Sequence, residues 1–245
     1  MVATILKSKN VTNATYARRI KIMLREKKGL KYPDEYFIKF FFKNRLHEKQ
    51  NLKYLEFGCG NGSNLMLPYE YGGGNKVIGI DYDSTLIEYA NHNFEIDKNS
   101  NRYQFYSDDM RVFAENNANI KADVFILPSV IYYINQNDFI LFLKDIVQNS
   151  NIKNNIPFYI RIRTPKDFRF GLGQQIDSKT YLLPKDVVTG EGNASITFYT
   201  ELEIIDILKK YLNLRNFSIF HLDNQNEHCG KIILNSDIVI WGMIN

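Results

Sequence analysis

Lys53-Tyr54-Leu55-Glu56-Phe57-Gly58-Cys59-Gly60-Asn61-Gly62-Ser63 decides the reading of this chain. An apolar strand carries one acid, Glu56, and runs into three alternating glycines. Glycine accepts the left-handed backbone of a sharp turn and lets a ligand approach the main chain with no Cβ between them. A helix is expected near residues 64–70, so that its free N–H groups face whatever fills the turn. The G-x-G-x-G spacing departs from a dinucleotide fingerprint, where Ser63 would be a third glycine or an alanine. A carboxylate is repelled by a pyrophosphate and welcome beside an α-ammonium group. Glu56 therefore turns the loop toward an amino-acid-bearing nucleoside and away from NAD.

Working outward, a second strand ends in Val77-Ile78-Gly79-Ile80-Asp81. An acid at a strand's C-terminal edge, beyond a glycine loop, can accept hydrogen bonds from both ribose hydroxyls. Capping of the next helix is left to Asp83 or Ser84. A third strand runs into Tyr106-Ser107-Asp108-Asp109-Met110, where one aspartate can cap a helix starting near Arg111 and the other can face a ligand. Strands are expected at 54–57, 76–81, 103–106, 123–127, 158–163, 217–222 and 238–243. Helices are expected near 64–70, 84–96, 109–117, 137–149 and 201–212, the last with a capping box from Thr200 to Glu203. This alternation predicts a mostly parallel sheet covered on both faces, an α/β doubly wound fold. Two helices, over 16–24 and from Pro33 onward with a buried stripe of Phe37, Ile38, Phe41 and Phe42, predict a helical cap over residues 1–50. Residues 51–245 form the main domain. Within it, 164–198 is a long connection of weak periodicity, expected to be an insertion on the substrate side. Pro68 predicts that the helix after the glycine loop is short or kinked.

Residues 55–62 resemble the first motif of class I S-adenosylmethionine-dependent methyltransferases, and the resemblance in pattern runs from about Tyr16 to the C-terminal strand. It implies a Rossmann-like sheet of seven strands in the order 3-2-1-4-5-7-6, the seventh antiparallel. The cofactor implied is S-adenosylmethionine, with S-adenosylhomocysteine as product and no metal. Cofactor contacts implied are Glu56, Gly58, Cys59, Gly60 and Gly62 in the loop, Asp81 with Tyr82, and Asp108, Asp109 and Met110, of which Asp108 aligns with the acid that meets the adenine amino group. Leu127, at the end of the fourth strand, completes the set. The Asp/Asn-Pro-Pro-aromatic signature of base-amine methylation is absent here, where the chain reads Leu127-Pro128-Ser129. That points to a small-molecule acceptor, with Tyr132 and Tyr133 as candidate walls or as core. The segment 163–173 is similar to segments of bacterial enzymes that modify sugars or surface polysaccharide precursors. Together these features predict O-methylation of an anionic sugar-, phosphate- or nucleotide-linked precursor, in capsule or polysaccharide biosynthesis.

Arg161 and Arg163 alternate with isoleucines, so they share one face of the fifth strand. Arg163 can bind an anionic acceptor as a fork, or either arginine can bridge to an internal carboxylate such as Asp167. His221 can reach the mouth of the site; the four histidines show no metal spacing. No side chain declares itself as general base. Residues 1–53 carry 14 Lys or Arg against 4 Asp or Glu, whereas the remainder carries 17 against 23. That asymmetry suits an anionic acceptor, or only a solvated face. The two cysteines form no disulfide framework, and no apolar run is long enough for a signal peptide or a bilayer span, so a cytoplasmic enzyme without membrane or nucleic-acid partners is expected. The rival readings are an NAD-dependent dehydrogenase, an RNA methyltransferase using the basic N-terminus, and a domain that binds the cofactor without turnover.

Overall fold

The computed structural model describes residues 26–95, 101–228 and 230–245. The helix expected over 16–24 and the second cysteine, Cys229, lie outside the described residues. The first described helix, α1 (Glu35–Lys43), begins where Asp34 accepts hydrogen bonds from the amides of Tyr36 and Phe37. Those donors have no partner inside the helix, so the cap fixes its start. Its buried stripe is Phe37, Phe40 and Phe41 rather than the expected set. Phe40 takes an inner place against Tyr159 and Trp241, and Phe42 turns outward over His47.

Strands and helices then alternate: β1 (Lys53–Phe57), α2 (Met66–Tyr71), β2 (Lys76–Asp81), α3 (Ser84–Glu95), β3 (Tyr103–Ser107), α4 (Met110–Asn116), β4 (Val124–Pro128), α5 (Gln136–Gln148) and β5 (Ile156–Arg163). Three short strands follow, β6 (Gln174–Gln175), β7 (Thr180–Leu182) and β8 (Ser195–Thr197), then α6 (Glu201–Leu212), β9 (Arg215–His228) and β10 (Lys231–Ile244). The main sheet has the order β3-β2-β1-β4-β5-β10-β9. Numbered among themselves its strands run 3-2-1-4-5-7-6, as expected, and β10 is antiparallel to both neighbours. The order reverses between β1 and β4, which opens a crevice beyond their C-terminal ends.

Alternate residues of each strand feed the two faces. Leu55, Phe57, Phe125, Leu127, Phe158 and Ile160 pack under α4, α5 and α6, in one core with Phe113, Phe142 and Leu208. Tyr54, Val77, Ile126, Tyr159 and Trp241 meet α1, α2 and α3 in the other. No helix among the described residues is long and apolar enough to cross a membrane.

Helix α2 is short, as Pro68 predicted, with only 6 residues; Pro68 sits in its first turn, where the missing N–H falls among donors that lack an intrahelical partner. Two other elements differ from expectation. Strands β9 and β10 are 14 residues each. Beyond Asp237 they outrun β5 and pair with one another. The segment 164–198 is folded: β6, β7 and β8 make a separate sheet over a small core of Leu183, Ile196 and Phe198 shared with Tyr132. Strands of 2 or 3 residues carry too few alternations to print a period on the sequence.

Candidate functional site

Gly58, Gly60 and Gly62 all have left-handed backbones, with φ of 72°, 52° and 76°. That conformation favours glycine. At Gly58 the space is also closed, since a Cβ would lie 2.4 Å from Val130 Cβ. Gly60 is the opposite case: nothing stands within 4 Å of where its Cβ would be, so the chain is open to a ligand there. The loop is tied to β2. The amides of Gly58 and Cys59 both donate to the Ile80 carbonyl, at 2.7 and 3.1 Å. Gly60 N–H donates to Asp81 Oδ2 at 2.8 Å.

Asp81 Oδ1 accepts from the Asp83 amide at 3.0 Å, and Asp83 in turn caps α3 through the amides of Thr85 and Leu86. Asp81 is therefore not the cap. Each of its oxygens holds one backbone donor and keeps a lone pair for another. The aspartate pair after β3 divides the same way. Asp109 caps α4 through the amides of Arg111 and Val112. Asp108 accepts from the Asp109 amide at 2.8 Å and stands at the crevice.

These groups surround a cavity of about 440 Å³, a size suited to a small ligand. Gly58, Asp81, Tyr82, Asp108, Asp109 and Met110, all named from the sequence, are brought together on its β1–β3 side. Ser129, Val130, Tyr133 and Ile134 close it from the end of β4. Of these only Tyr133 was legible. Ser129 has φ of 49°, which turns the chain off β4 and brings Val130 against Gly58.

Other expected residues lie off the cavity lining. Glu56 is fully buried; its Oε1 accepts from Asn64 Nδ2 at 2.9 Å, and its Oε2 has no partner. Burial, with Asp81 and Asp34 nearby, pushes its carboxyl up to about 8 against the Asn64 hydrogen bond. An orphaned carboxylate oxygen beneath the loop suits a bound ammonium group and does not suit a pyrophosphate. Cys59 is buried with its Sγ toward Gly79, and burial raises its thiol. Gly62 faces Phe94 and Phe105. Leu127 corrects an expectation: it is fully buried in the core under α4–α6, because the alternation of β4 aims it away from the crevice.

On the acceptor side, Tyr132 is core under the 164–198 segment, with the Arg163 guanidinium 4.2 Å from its ring centre. Arg163 is not a free fork: Nη1 meets Glu191 Oε1 at 3.1 Å and Nε lies 3.8 Å from Asp167. Arg161 is likewise held, by Asp34 and Asp237. The same-face placement was right, and the internal-carboxylate reading is the one observed for Arg163. His221 pairs with Glu201 at 2.9 Å on a separate cleft with Thr164 and Ile238. Among the described residues no cluster of His, Cys, Asp and Glu could hold a metal ion.

Residues 48–156 match the model of a methyltransferase domain family. No curated protein sequence matches the chain. Solved structures do. One is an S-adenosylmethionine-dependent methyltransferase from Archaeoglobus fulgidus, 14% identical, covering 86% of this chain and 100% of that one at a TM-score of 0.56. A second, from Methanosarcina mazei, is 16% identical over 82% of this chain and 96% of its own, at 0.55. A third is magnesium protoporphyrin IX methyltransferase from Synechocystis, with S-adenosylmethionine bound, 15% identical over 86% of this chain and 77% of that one, at 0.51. Identities this low speak for the fold.

Proposed function

We propose that this chain, whose residues 48–156 match a methyltransferase domain, is an S-adenosylmethionine-dependent methyltransferase that methylates a small-molecule acceptor at oxygen. The observation that carries the reading is the wall of the cavity on the β4 side. Tyr133 stands there with the folded 164–198 segment behind it, where a polymer-binding groove would need open surface. Bound S-adenosylmethionine supplies an electrophilic methyl group on a sulfonium. The chain's own work is to hold the donor and keep water out. Asp81 would take the ribose hydroxyls, Asp108 the adenine amino group, and Glu56 the ammonium, with the open face of Gly60 against the amino-acid portion.

Sugar-, phosphate- or nucleotide-linked precursors, including those of bacterial surface polysaccharide, are the acceptor class we favour. An anionic charge on the acceptor now rests on the lysine-rich residues 1–53, because Arg161 and Arg163 are already neutralised by carboxylates. We keep the division into a cap over 1–50 and a catalytic domain over 51–245, and a cytoplasmic setting, as parts of the same proposal. The dehydrogenase rival is disfavoured by the buried Glu56. The deciding test is cofactor consumption against paired charged and neutral hydroxyl acceptors, with a short RNA as control. We expect turnover with one small-molecule class, stronger for the charged member and less so at high salt. Turnover on RNA alone would overturn the proposal.

A further inference from the structure

Tyr133 is a cavity wall whose outer end is held by a residue of the 164–198 segment. Its ring lines the cavity, and its hydroxyl donates to Glu191 Oε1 at 3.1 Å. Glu191 lies between β7 and β8, 58 positions along the chain. The same carboxylate accepts from Arg163 Nη1 at 3.1 Å, from the Thr189 hydroxyl at 2.8 Å, and from Arg169 Nε. Arg163 lies over the Tyr132 ring, and the Tyr132 and Tyr133 rings are 4.6 Å apart. The four groups close a circuit: Tyr133 to Tyr132 to Arg163 to Glu191 and back to the Tyr133 hydroxyl.

Both ends of the key bond are set by their surroundings. Burial works to raise the Glu191 carboxyl, but Arg163, Thr189 and Arg169 outweigh it and leave it below the usual range. Burial, with Tyr132 and Glu191 adjacent, raises the Tyr133 phenol. The phenol therefore remains the donor and the carboxylate the acceptor at neutral pH. Arg163 and Arg169 balance Asp167 and Glu191 in formal charge, so the cluster presents no surplus cation to an acceptor.

We propose that Glu191 is a positioning residue, which fixes Tyr133 against the cofactor cavity and makes the 164–198 segment a specificity-determining wall of the methyl-transfer site. The proposal rests on the reading that this cavity holds the cofactor. Tyr133→Phe deletes one oxygen and leaves the ion pairs intact; Glu191→Gln keeps an oxygen that can accept; Glu191→Ala keeps none.

S-adenosylhomocysteine binding by calorimetry, with the melting temperature recorded alongside, tests it. Tyr133→Phe should weaken binding about 3- to 10-fold with at most a small fall in melting temperature, the loss of one hydrogen bond's worth of order. Glu191→Ala should weaken it at least as much, and Glu191→Gln should recover part. In a Tyr133→Phe background, Ala and Gln at 191 should bind equally. If Glu191→Ala does not fold, Tyr133→Phe still decides. With Asp81→Ala weakened as a control, an unchanged affinity in Tyr133→Phe, or additive losses in the double variant, overturns the anchor alone. Equal affinity of wild type and Asp81→Ala would overturn the cofactor assignment of the cavity and the anchor together.

Discussion

The glycine loop and the 164–198 segment are both dense in polar atoms, yet they hold their shapes by different means. The loop is built from main chain: three left-handed residues, two amides on one carbonyl, and one carboxylate receiving a third amide. The segment is built from side chains: Arg163, Arg169, Asp167 and Glu191 neutralise one another above a small apolar core. A main-chain site demands a residue type at each position. A charge cluster demands only that partners meet. The first should tolerate salt and fail on single backbone substitutions; the second should fail when one charge is left alone.

The largest effect is expected in the charge cluster. Arg163→Ala leaves Asp167 and Glu191 to share Arg169 as their cation, one negative charge in excess, and breaking a buried pair costs up to about 3–5 kcal/mol. Thermal unfolding should report that loss, with Arg163→Lys recovering only part, because a point charge cannot serve two carboxylates as a fork does. A melting temperature unchanged by Arg163→Ala, with only the acceptor Michaelis constant raised, would break the comparison. It would return Arg163 to the acceptor.

Glu56 offers a pH signature on the loop side. Its carboxyl is raised to about 8 in the fold, so the neutral form is the one the fold favours. Its contribution to stability is therefore full below its ordinary value and is lost as pH rises through about 8, with a limiting slope of about 1.4 kcal/mol per pH unit. Denaturant titration of the ligand-free protein across that window should show the fall, and Glu56→Gln should flatten it. Saturation with S-adenosylhomocysteine should also flatten it if an ammonium group settles beside the carboxylate.

Asp81→Ala comes next, with a loss of at least about tenfold in S-adenosylhomocysteine affinity if two charge-assisted hydrogen bonds disappear, or roughly 1.4 kcal/mol. The smallest effects sharpen the comparison within one dipeptide. Asp109→Ala should cost about 1 kcal/mol of stability as a lost cap and leave binding nearly intact. Asp108→Ala should do the reverse. Calorimetry and thermal melts on the two variants would merge the two roles if both quantities moved together in each.

Legibility followed the same division. Strand order was legible through the family resemblance, and the turn of the three glycines, Asp83 in place of Asp81 as helix cap, and one cap between Asp108 and Asp109 were legible from local spacing. Leu127 was misplaced by the alternation of β4, and Phe40 was missed where adjacent phenylalanines blur a helical stripe. Glu191 was invisible. It has no periodic context, and its partners come from β5, from the turn after β4 and from its own segment. Only a tertiary contact gives it meaning.

The overlong β9–β10 hairpin links the segment to the rest in a way that solvent exchange would expose. Thr164 and Phe168 donate their amides to the Ser236 and Leu234 carbonyls, and the Ser236 amide returns a bond to Asp167. These protons are guarded neither by β5 nor by the glycine loop, since β10 has passed the end of β5 at that level. They are expected to open as a unit of their own while the amides on Ile80 stay closed. Deuterium uptake would then divide the molecule into a slow frame around the glycine loop and a faster flap over the 164–198 segment.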